Sequence, residues 1–247
     1  MQIIAICTQK GGTGKTTSAA AIAQAATAKG KTALVIDLDP QGNLTYITGA
    51  KAGGASSLDL LNGKPVGEII QKTGAGVDVI PASWNLQNEV TTKGSALRLA
   101  AALEGVNYDY VIIDTPAKAG ELQYNALQAA NRVIIPVNAD IFGLQAIYQM
   151  FDTLEEFKQS NKSLSDVCIL LTQCRRETTL SRQMKKTIKE KAGELGLSIL
   201  PDIPEAVALR EAQAMKKSLF DYAPKSKPAA AYMEVFTEIS RKPRRRK

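Results

Sequence analysis

The sequence predicts a doubly wound α/β fold, in which helices cover both faces of a mostly parallel β-sheet. Short apolar runs rich in β-branched residues alternate with helical patterns along the chain, which is the order of elements that builds a parallel sheet. Several runs are apolar throughout rather than alternating, as in Val111-Ile112-Ile113, and strands buried on both faces have that pattern. A glycine-rich turn also joins the first apolar run to an alanine-rich helical pattern.

The predicted elements follow from these patterns in chain order. Strands are predicted at Ile3–Thr8, Thr32–Asp37, Val77–Ile80, Tyr110–Asp114, Arg132–Pro136, Val167–Leu171 and Ser198–Leu200. Helices are predicted at Lys15–Lys29, Ser95–Glu104, Leu122–Ala130, Gly143–Gln159, Leu180–Leu195, Glu205–Lys216 and Lys227–Arg241. The Gly/Ser/Lys-rich stretch Gly49–Ser57 is predicted to be a surface connection. Without a repeat or a linker, residues 1–240 are predicted to form a single domain and residues 241–247 a disordered basic tail.

The composition excludes several classes of protein. Hydrophobic residues make up 45% and charged residues 22% of the 247 residues, which is ordinary for a globular chain. No apolar run approaches the roughly 18 residues that span a bilayer, and the start lacks the basic region of a signal peptide. The chain has no histidine, which excludes histidine triads and histidine metal sites. Cys7, Cys168 and Cys174 form no CxxC pair, so we expect a reducing, cytoplasmic protein without disulfides, zinc or membrane contact.

The turn after the first strand has the pattern of a phosphate-binding loop. Gly12-Thr13-Gly14-Lys15-Thr16 lies between a predicted strand and a predicted helix, the context that such a loop requires. Its glycines let backbone N–H groups approach phosphate oxygens, and the helix N-terminus adds partial positive charge. Lys15 is predicted to reach the β- and γ-phosphates of ATP, Thr16 to bind Mg²⁺ and Thr17 to donate to the α-phosphate. The nucleotide-binding residues are therefore predicted to be Gly11, Gly12, Thr13, Gly14, Lys15, Thr16 and Thr17, those of a P-loop NTPase. The alternative is a glycine-rich turn without a ligand.

The loop departs from the general pattern G-x-x-x-x-G-K-[ST] in one position. Gln9 stands where that pattern has its first glycine, and a second lysine, Lys10, lies near the opening of the loop. Lys10 is too close to the start of the loop to reach its own nucleotide easily, but it can project outward. A simple solvated charge is the alternative.

Two acidic segments follow predicted strands. Asp37 ends the second strand and Asp39 lies two residues beyond it, while Asp114 ends the strand at Tyr110–Asp114. Ligands of doubly wound sheets bind beyond the carboxyl ends of the strands, so these acids should converge on the loop. There a carboxylate can hold a Mg²⁺-bound water or orient the attacking water. For Asp37 and Asp39, capping of a following helix is the alternative.

Together these motifs resemble those of the ParA/MinD family of ATPases. Lys10–Thr17 resembles the deviant Walker A motif K-G-G-x-G-K-T, and Asp37–Asn43 matches D-x-D-P-Q-G-N, which is characteristic of the ParA branch. The resemblance extends along nearly the whole chain. It implies a homodimer formed with ATP bound, in which Lys10 reaches the partner's nucleotide. In the family, the residues that match Thr115 and Pro116 begin a segment called the second switch. Ala117 stands where the family often has a second proline, which leaves the geometry of this segment open.

The resemblance also implies roles for single residues. Asp39 would position or activate the water and, with Lys10 and Lys15, form the catalytic set. Asp37 would support the Mg²⁺ shell, and Asp114 would be the Walker B acid. The adenine contacts would be Gln173 and Pro204, since Leu170-Leu171-Thr172-Gln173 and Ile203-Pro204 fall where relatives approach the base.

The basic charge is concentrated in the last third of the chain. Residues 1–169 carry 13 basic against 15 acidic side chains, whereas residues 170–247 carry 18 against 9. Such a distribution indicates nucleic acid or an anionic surface; a solubilising tail and a solvated helix face are the alternatives. DNA-binding relatives commonly carry arginines after Ile-Pro, but this chain has Glu205-Ala206-Val207-Ala208. The predicted contacts to nonspecific DNA are instead Arg182, Lys185, Lys186 and Lys189, which share one broad helix face, together with Arg244, Arg245 and Arg246.

The leading interpretation is a ParA-type partition ATPase. It would dimerise on binding ATP, bind DNA nonspecifically at the nucleoid and leave it on hydrolysis, stimulated by a separate, site-specific ParB-like partner. No segment long enough for a helix-turn-helix precedes the first strand, so specific operator binding is not expected. One alternative is a MinD-like ATPase acting on a membrane or a protein cargo, although the tail lacks the apolar anchors of an amphipathic membrane helix. A second is a nucleotide switch that hardly hydrolyses ATP. The cargo, whether plasmid, chromosome or protein cluster, is not indicated.

Overall fold

The structure is a computed structural model that describes residues 1–89, 95–174 and 179–241. In this part of the chain a single sheet contains eight strands, in the order β3-β4-β2-β5-β1-β6-β7-β8. The strands are β1 Gln2–Ile6, β2 Ala33–Asp37, β3 Gln71–Lys72, β4 Asp78–Ile80, β5 Tyr110–Asp114, β6 Arg132–Val137, β7 Asp166–Leu171 and β8 Ser198–Ile199. β3 runs antiparallel to β4 at one edge, and the other pairs are parallel. The predicted doubly wound, mostly parallel α/β fold is confirmed.

The helices occupy the connections between the strands, and the last three follow β8. They are α1 Lys15–Ala28, α2 Asn43–Thr48, α3 Ser57–Leu61, α4 Val66–Ile69, α5 Leu86–Glu89, α6 Arg98–Ala102 after a 3₁₀ turn at Ser95–Leu97, α7 Glu121–Ala129, α8 Ile141–Ser160, α9 Thr179–Glu194, α10 Val207–Ala214, α11 Leu219–Tyr222 and α12 Lys227–Ser240. None of the helices in the described ranges is both long and apolar enough to cross a membrane.

The core consists of two layers, one on each face of the sheet. Along β1, Ile3 and Ala5 face one layer, whereas Ile4 and Ile6 face the other. The first layer is covered by α3–α9, and the second by α1, α2 and α10–α12. Because both faces are buried, successive strand residues are all apolar, which explains the uninterrupted runs in the sequence.

The three central strands end level with one another. Ile6 at the end of β1 pairs with Asp114 at the end of β5, and Asp114 also pairs with Asp37 at the end of β2. The two acids therefore stand side by side at the carboxyl end of the sheet, next to the loop between β1 and α1. We call this region the carboxyl edge.

All of the predicted strands are present, with ends shifted by at most two residues. The edge strand β3 and the helices α2, α3, α4, α5 and α11 were not predicted, because elements of two to six residues are too short to show a period. The stretch Gly49–Ser57 was predicted wrongly at its end: Ser56 and Ser57 are buried. There Ser56 donates to Asp59 through its backbone N (2.8 Å) and Oγ (3.0 Å), which begins α3.

The predicted helix Glu205–Lys216 is shorter at both ends. The backbone N of Glu205 donates to the Cys174 carbonyl at 3.1 Å, so this residue still belongs to an extended segment and α10 begins at Val207. At the other end Lys216 has φ +51°, a left-handed conformation that ends a helix.

Candidate functional site

The loop between β1 and α1 has the backbone of a phosphate cradle. Gly12 has φ +73° and Gly14 has φ +82°. Residues other than glycine adopt such backbone angles only with strain. Gly14 immediately precedes α1, which begins at Lys15. The N-terminus of α1, with its unpaired N–H groups, therefore opens into this loop.

The end of β7 supports the loop from the side. Thr172 Oγ1 donates to the Thr13 carbonyl at 2.7 Å, and Gln173 Nε2 donates to the Gly12 carbonyl at 2.7 Å. Gln173 has φ +51°, which is uncommon for a residue other than glycine. Thr172 was not predicted to support the loop, because only its position after an apolar strand marked it in the sequence. Gln173 was predicted to contact adenine; the structure shows its side chain on the loop backbone, and the adenine contact stays a prediction.

Pro204, the other predicted adenine contact, lies beside the same strand end. It pairs in parallel with Cys174, whose backbone N donates to the Ile203 carbonyl at 2.9 Å. The fold thus places Gln173 and Pro204 on neighbouring segments at the carboxyl edge.

Lys15 lies inside the site rather than in solvent. Its residue is only 8% exposed, and its Nζ donates to the Lys10 carbonyl at 3.3 Å. Burial lowers the pKa of Lys15, although the negative charges of Asp114 and Asp39 act to raise it. A desolvated ammonium group of this kind gains strongly from an anionic ligand, because the loss of water strengthens charge–charge attraction.

Asp114 is the least satisfied group of the site. The residue is completely buried, and neither carboxylate oxygen has a hydrogen bond within the described residues. The pKa of Asp114 is raised well above its usual value, mainly by burial and secondly by the charge of Asp37. Thr16 and Lys15 act to lower it. Burying a carboxylate without a hydrogen-bond partner costs folding free energy. Asp114 is therefore a candidate ligand-binding group.

The donor set fits Mg²⁺. The Thr16 hydroxyl and the Asp114 carboxylate offer hard oxygen atoms, which Mg²⁺ prefers together with water and phosphate oxygens. Within the described ranges no group of three or more His, Cys, Asp or Glu residues is placed to hold a metal ion. Magnesium bound to a nucleotide does not need such a group, since it keeps several waters.

Asp37 organises the segment that follows β2. Its carboxylate accepts hydrogen bonds from the Thr45 backbone N at 2.8 Å, from Thr45 Oγ1 at 2.7 Å and from the Asp39 backbone N at 3.1 Å. Burial raises the pKa of Asp37 to about 6, although the hydrogen bonds from Thr45 oppose the shift. The capping alternative is thus partly correct: Asp37 accepts a first-turn amide of α2, while Gly42 occupies the N-cap position. A role of Asp37 in the Mg²⁺ shell stays a prediction.

Asp39 lies at the mouth of the site. It is half-buried, its Oδ1 accepts the Gln41 backbone N at 3.0 Å, and its charge acts on Lys15. The charge interaction places Asp39 near the loop lysine, and its role towards the attacking water stays a prediction.

Lys10 is held within its own chain, by the start of α8. Its Nζ lies 2.9 and 3.0 Å from the two carboxylate oxygens of Asp140 and 5.2 Å from the centre of the Phe142 ring. Asp140 also caps α8, because its Oδ1 accepts the Gly143 backbone N at 2.6 Å. The Lys10 side chain is 26% exposed and is paired with Asp140 rather than free, and its reach to a partner's nucleotide stays a prediction.

The basic residues of α9, namely Arg182, Lys185, Lys186 and Lys189, form a surface that we call the basic face. Its lysines have acidic partners: Lys185 and Lys189 each lie 3.2 Å from a carboxylate oxygen of Asp202, and Lys186 lies 3.8 Å from Glu190. The side chain of Lys185 is only 14% exposed, so it faces inward, unlike the other three. Arg244, Arg245 and Arg246 lie outside the described residues.

A doubly wound sheet with this loop after β1 and buried acids at the ends of β2 and β5 defines a P-loop nucleotide-binding protein. Comparison with known proteins gives the family. The family model for an AAA domain matches residues 1–166. The chain is 34% identical over 238 residues to the chromosome-partitioning ATPase Soj of Thermus thermophilus. This alignment covers 96% of the chain and 94% of Soj. The chain is likewise 34% identical over 254 residues to the chromosome partitioning protein ParA of Caulobacter vibrioides, with 97% and 94% covered.

A solved structure has the same fold. Cobyrinic acid a,c-diamide synthase from Mycobacterium smegmatis, with bound ADP and magnesium, matches with a TM-score of 0.82 and 29% identity over 98% of this chain and 94% of that one. The identity to Soj and ParA shows that the chain belongs to the ParA/Soj family of partitioning ATPases, and the resemblance seen in its motifs is confirmed.

Proposed function

We propose that this protein is a ParA-type ATPase that dimerises on binding ATP, binds DNA nonspecifically and leaves it on hydrolysis, and so segregates or positions DNA. Residues 1–240 act as one ATPase domain, in the cytoplasm and at the nucleoid. The observation that carries the proposal is the buried, unpartnered Asp114, which stands level with Asp37 beside the loop that contains Lys15.

ATP and Mg²⁺ are the ligands for which the carboxyl edge is built. The loop from Gly11 to Thr17 binds the phosphates, and Lys15 neutralises the charge of the β- and γ-phosphates. Thr16 and Asp114 hold the metal, Asp114 through water, and Asp37 fixes the segment that carries Asp39. When bound, Mg²⁺ supplies charge neutralisation to the phosphates. Support comes from the solved relative with ADP and magnesium.

Hydrolysis depends on Asp39. In this proposal its carboxylate orients the attacking water, and the developing charge is stabilised by Lys15 and by Lys10 of a second protomer. Phosphoryl transfer needs mainly positioning and charge stabilisation, so a site without histidine is sufficient.

Dimerisation moves Lys10 from Asp140 to the partner's nucleotide. Next to Asp140, Ile141 and Phe142 are 62% and 61% exposed, and exposed apolar side chains beside a ligand site indicate a surface that a partner covers. The triphosphate offers Lys10 more negative charge than one carboxylate does. ATP therefore favours the exchange, whereas the nucleotide-free chain keeps Lys10 on Asp140.

DNA binding uses the basic residues of the C-terminal third. On the basic face the lysines must exchange Asp202 and Glu190 for phosphates, so binding is weak and sensitive to salt. A separate ParB-like partner stimulates hydrolysis and supplies site specificity. The names of the two chromosome-partitioning relatives support the role in DNA segregation that such a partner would serve.

DNA binding in three nucleotide states tests the proposal. The full chain is titrated with nonspecific duplex DNA in the presence of ATP, ADP or no nucleotide across a salt series, and in parallel with anionic vesicles. Strong binding to DNA with ATP alone supports it. Equal binding in all three states would contradict the switch, and ATP-dependent binding to vesicles but not to DNA would favour a MinD-like ATPase.

A further inference from the structure

A residue far along the chain contacts the phosphate-binding helix. Gln213 Nε2, on α10, donates to Thr17 Oγ1, on α1, at 2.9 Å, although 196 positions separate the two residues. Thr17 is the residue predicted to bind the α-phosphate. Gln213 lies beyond residues 1–166, the part of the chain that the family model matches.

Neighbouring contacts hold Gln213 in this position. Ala212 is buried against the α1 layer of the core, and the backbone N of Leu219 donates to Gln24 Oε1 on α1 at 3.0 Å. Because both sides of Gln213 are anchored to the helix that carries Thr17, its amide meets the Thr17 hydroxyl in a fixed geometry.

The direction of this hydrogen bond has a chemical consequence. A threonine hydroxyl has one proton to donate and two lone pairs that accept. Gln213 donates to the Thr17 oxygen, so it occupies a lone pair and leaves the hydroxyl proton for another acceptor. An anionic oxygen is the strongest acceptor available to such a group.

We propose that Gln213 is a positioning residue for the nucleotide, which holds the Thr17 hydroxyl with its proton directed at the α-phosphate. The proposal rests on the proposed function, since it needs Thr17 to bind that phosphate. The α-phosphate is common to ATP and ADP, so Gln213 strengthens the binding of both nucleotides alike. Its loss raises KM for ATP and leaves kcat at saturating ATP almost unchanged.

Two variants of similar size test the direction of the hydrogen bond. Gln213→Met removes the donor, and Gln213→Glu replaces it with an acceptor that takes the Thr17 proton. Affinity for Mg-ADP, measured by titration calorimetry on the full chain, is expected to fall about threefold in the first variant and about tenfold in the second, on the scale of neutral and charge-assisted hydrogen bonds.

The same substitutions in a Thr17→Ala background separate this account from simpler ones. With the hydroxyl gone, Gln213→Glu is expected to change the Mg-ADP affinity less than about threefold, because non-additivity reports direct coupling. An equal loss in both backgrounds, or a loss that disappears in high salt as a long-range charge effect does, would overturn the proposal. Thermal unfolding without nucleotide checks that the variants fold. A wild-type chain that binds no Mg-ADP would refute the proposed function instead.

Discussion

The carboxyl edge and the basic face hold their charged groups in opposite ways. At the carboxyl edge Lys15 and Asp114 are buried, and Asp114 has no hydrogen-bond partner within the described residues. On the basic face Lys186 and Lys189 are exposed, and each already has an acidic partner. The first region contains a buried acid, Asp114, that the fold leaves without a hydrogen bond, whereas the second region contains lysines that the fold has already paired with acids.

This difference indicates which region is built for a ligand. Burying an unpaired charge costs folding free energy, so such a group persists where a ligand will satisfy it. Exposed ion pairs cost and contribute little, so they do not by themselves indicate a ligand. Lys10 is intermediate: it belongs to the phosphate loop, but it is paired with Asp140 as the lysines of the basic face are paired with their acids.

The largest effect is expected from removing the proposed catalytic carboxylate of the carboxyl edge. Asp39→Ala should lower the rate of ATP hydrolysis about 100-fold or more, since the variant cannot orient the attacking water. ATP binding should persist and the lifetime of the ATP-bound dimer should increase. Glu104→Ala, a change at an exposed acid, is the control for both measurements. An Asp39→Ala variant with wild-type turnover would remove Asp39 from the mechanism.

The second effect concerns the basic residues. Removing residues 242–247 takes away five basic side chains, and we expect the slope of log affinity for DNA against log salt to become less negative by about 0.9 for each phosphate that the chain no longer neutralises. Lys186→Ala should change the slope by no more than the amount expected for one phosphate. Lys185→Ala should mainly lower stability, because that lysine is inward-facing and paired with Asp202. An unchanged slope after the truncation would assign DNA binding to another surface.

A smaller effect tests whether Asp140 holds Lys10 back. Asp140→Asn keeps an N-cap of equal quality for α8 but removes the charge that binds Lys10. We expect dimerisation at about fivefold lower ATP concentration, the upper end for a partly exposed ion pair, as measured by sedimentation. Asp140→Ala, which also loses the cap, should in addition unfold at lower temperature. A higher ATP requirement in Asp140→Asn would show that Asp140 assists the dimer instead.

The smallest effect concerns the folding free energy that the buried Asp114 costs the chain. The pKa of Asp114 is raised in the folded protein, so its ionisation favours unfolding. The contribution of Asp114 to the stability of the nucleotide-free chain therefore falls as pH rises above the unfolded pKa of about 3.9. Asp114→Asn cannot ionise and should melt about 3 °C higher than wild type at pH 7.5, with a difference that shrinks towards pH 4. With Mg-ADP the order should reverse, since wild type alone gains full stabilisation from the ligand. An Asn variant that is less stable at pH 7.5 without ligand would refute the raised pKa.

The sequence predicted the fold and the carboxyl edge well because local patterns determine both. Apolar runs mark strands such as β5, and a motif fixes the spacing from Gly12 to Thr17 along one stretch of chain. Contacts between distant segments could not be predicted in this way. The hydrogen bonds from Thr172 and Gln173 to the loop, the Lys10–Asp140 pair and the Gln213–Thr17 bond each join residues more than a hundred positions apart.

The basic face shows the limit of reasoning from charge. Helical spacing correctly placed Arg182, Lys186 and Lys189 on exposed positions of α9. It could not show that Asp202, on a different segment, would draw Lys185 inward and pair with Lys189. Charge partners of this kind depend on how segments pack, and periodicity along one helix contains no information about them.

A mixing experiment tests the central claim, that Lys10 acts on the nucleotide of the second protomer. Lys10→Ala keeps its own Asp39 and lacks the lysine, whereas Asp39→Ala lacks the aspartate and keeps the lysine. Each variant alone should hydrolyse almost no ATP. In an equal mixture half of the dimers are mixed, and each mixed dimer has one complete site if Lys10 acts across the interface, so about a quarter of wild-type activity should return. A mixture that forms dimers yet stays as inactive as its components would contradict the claim.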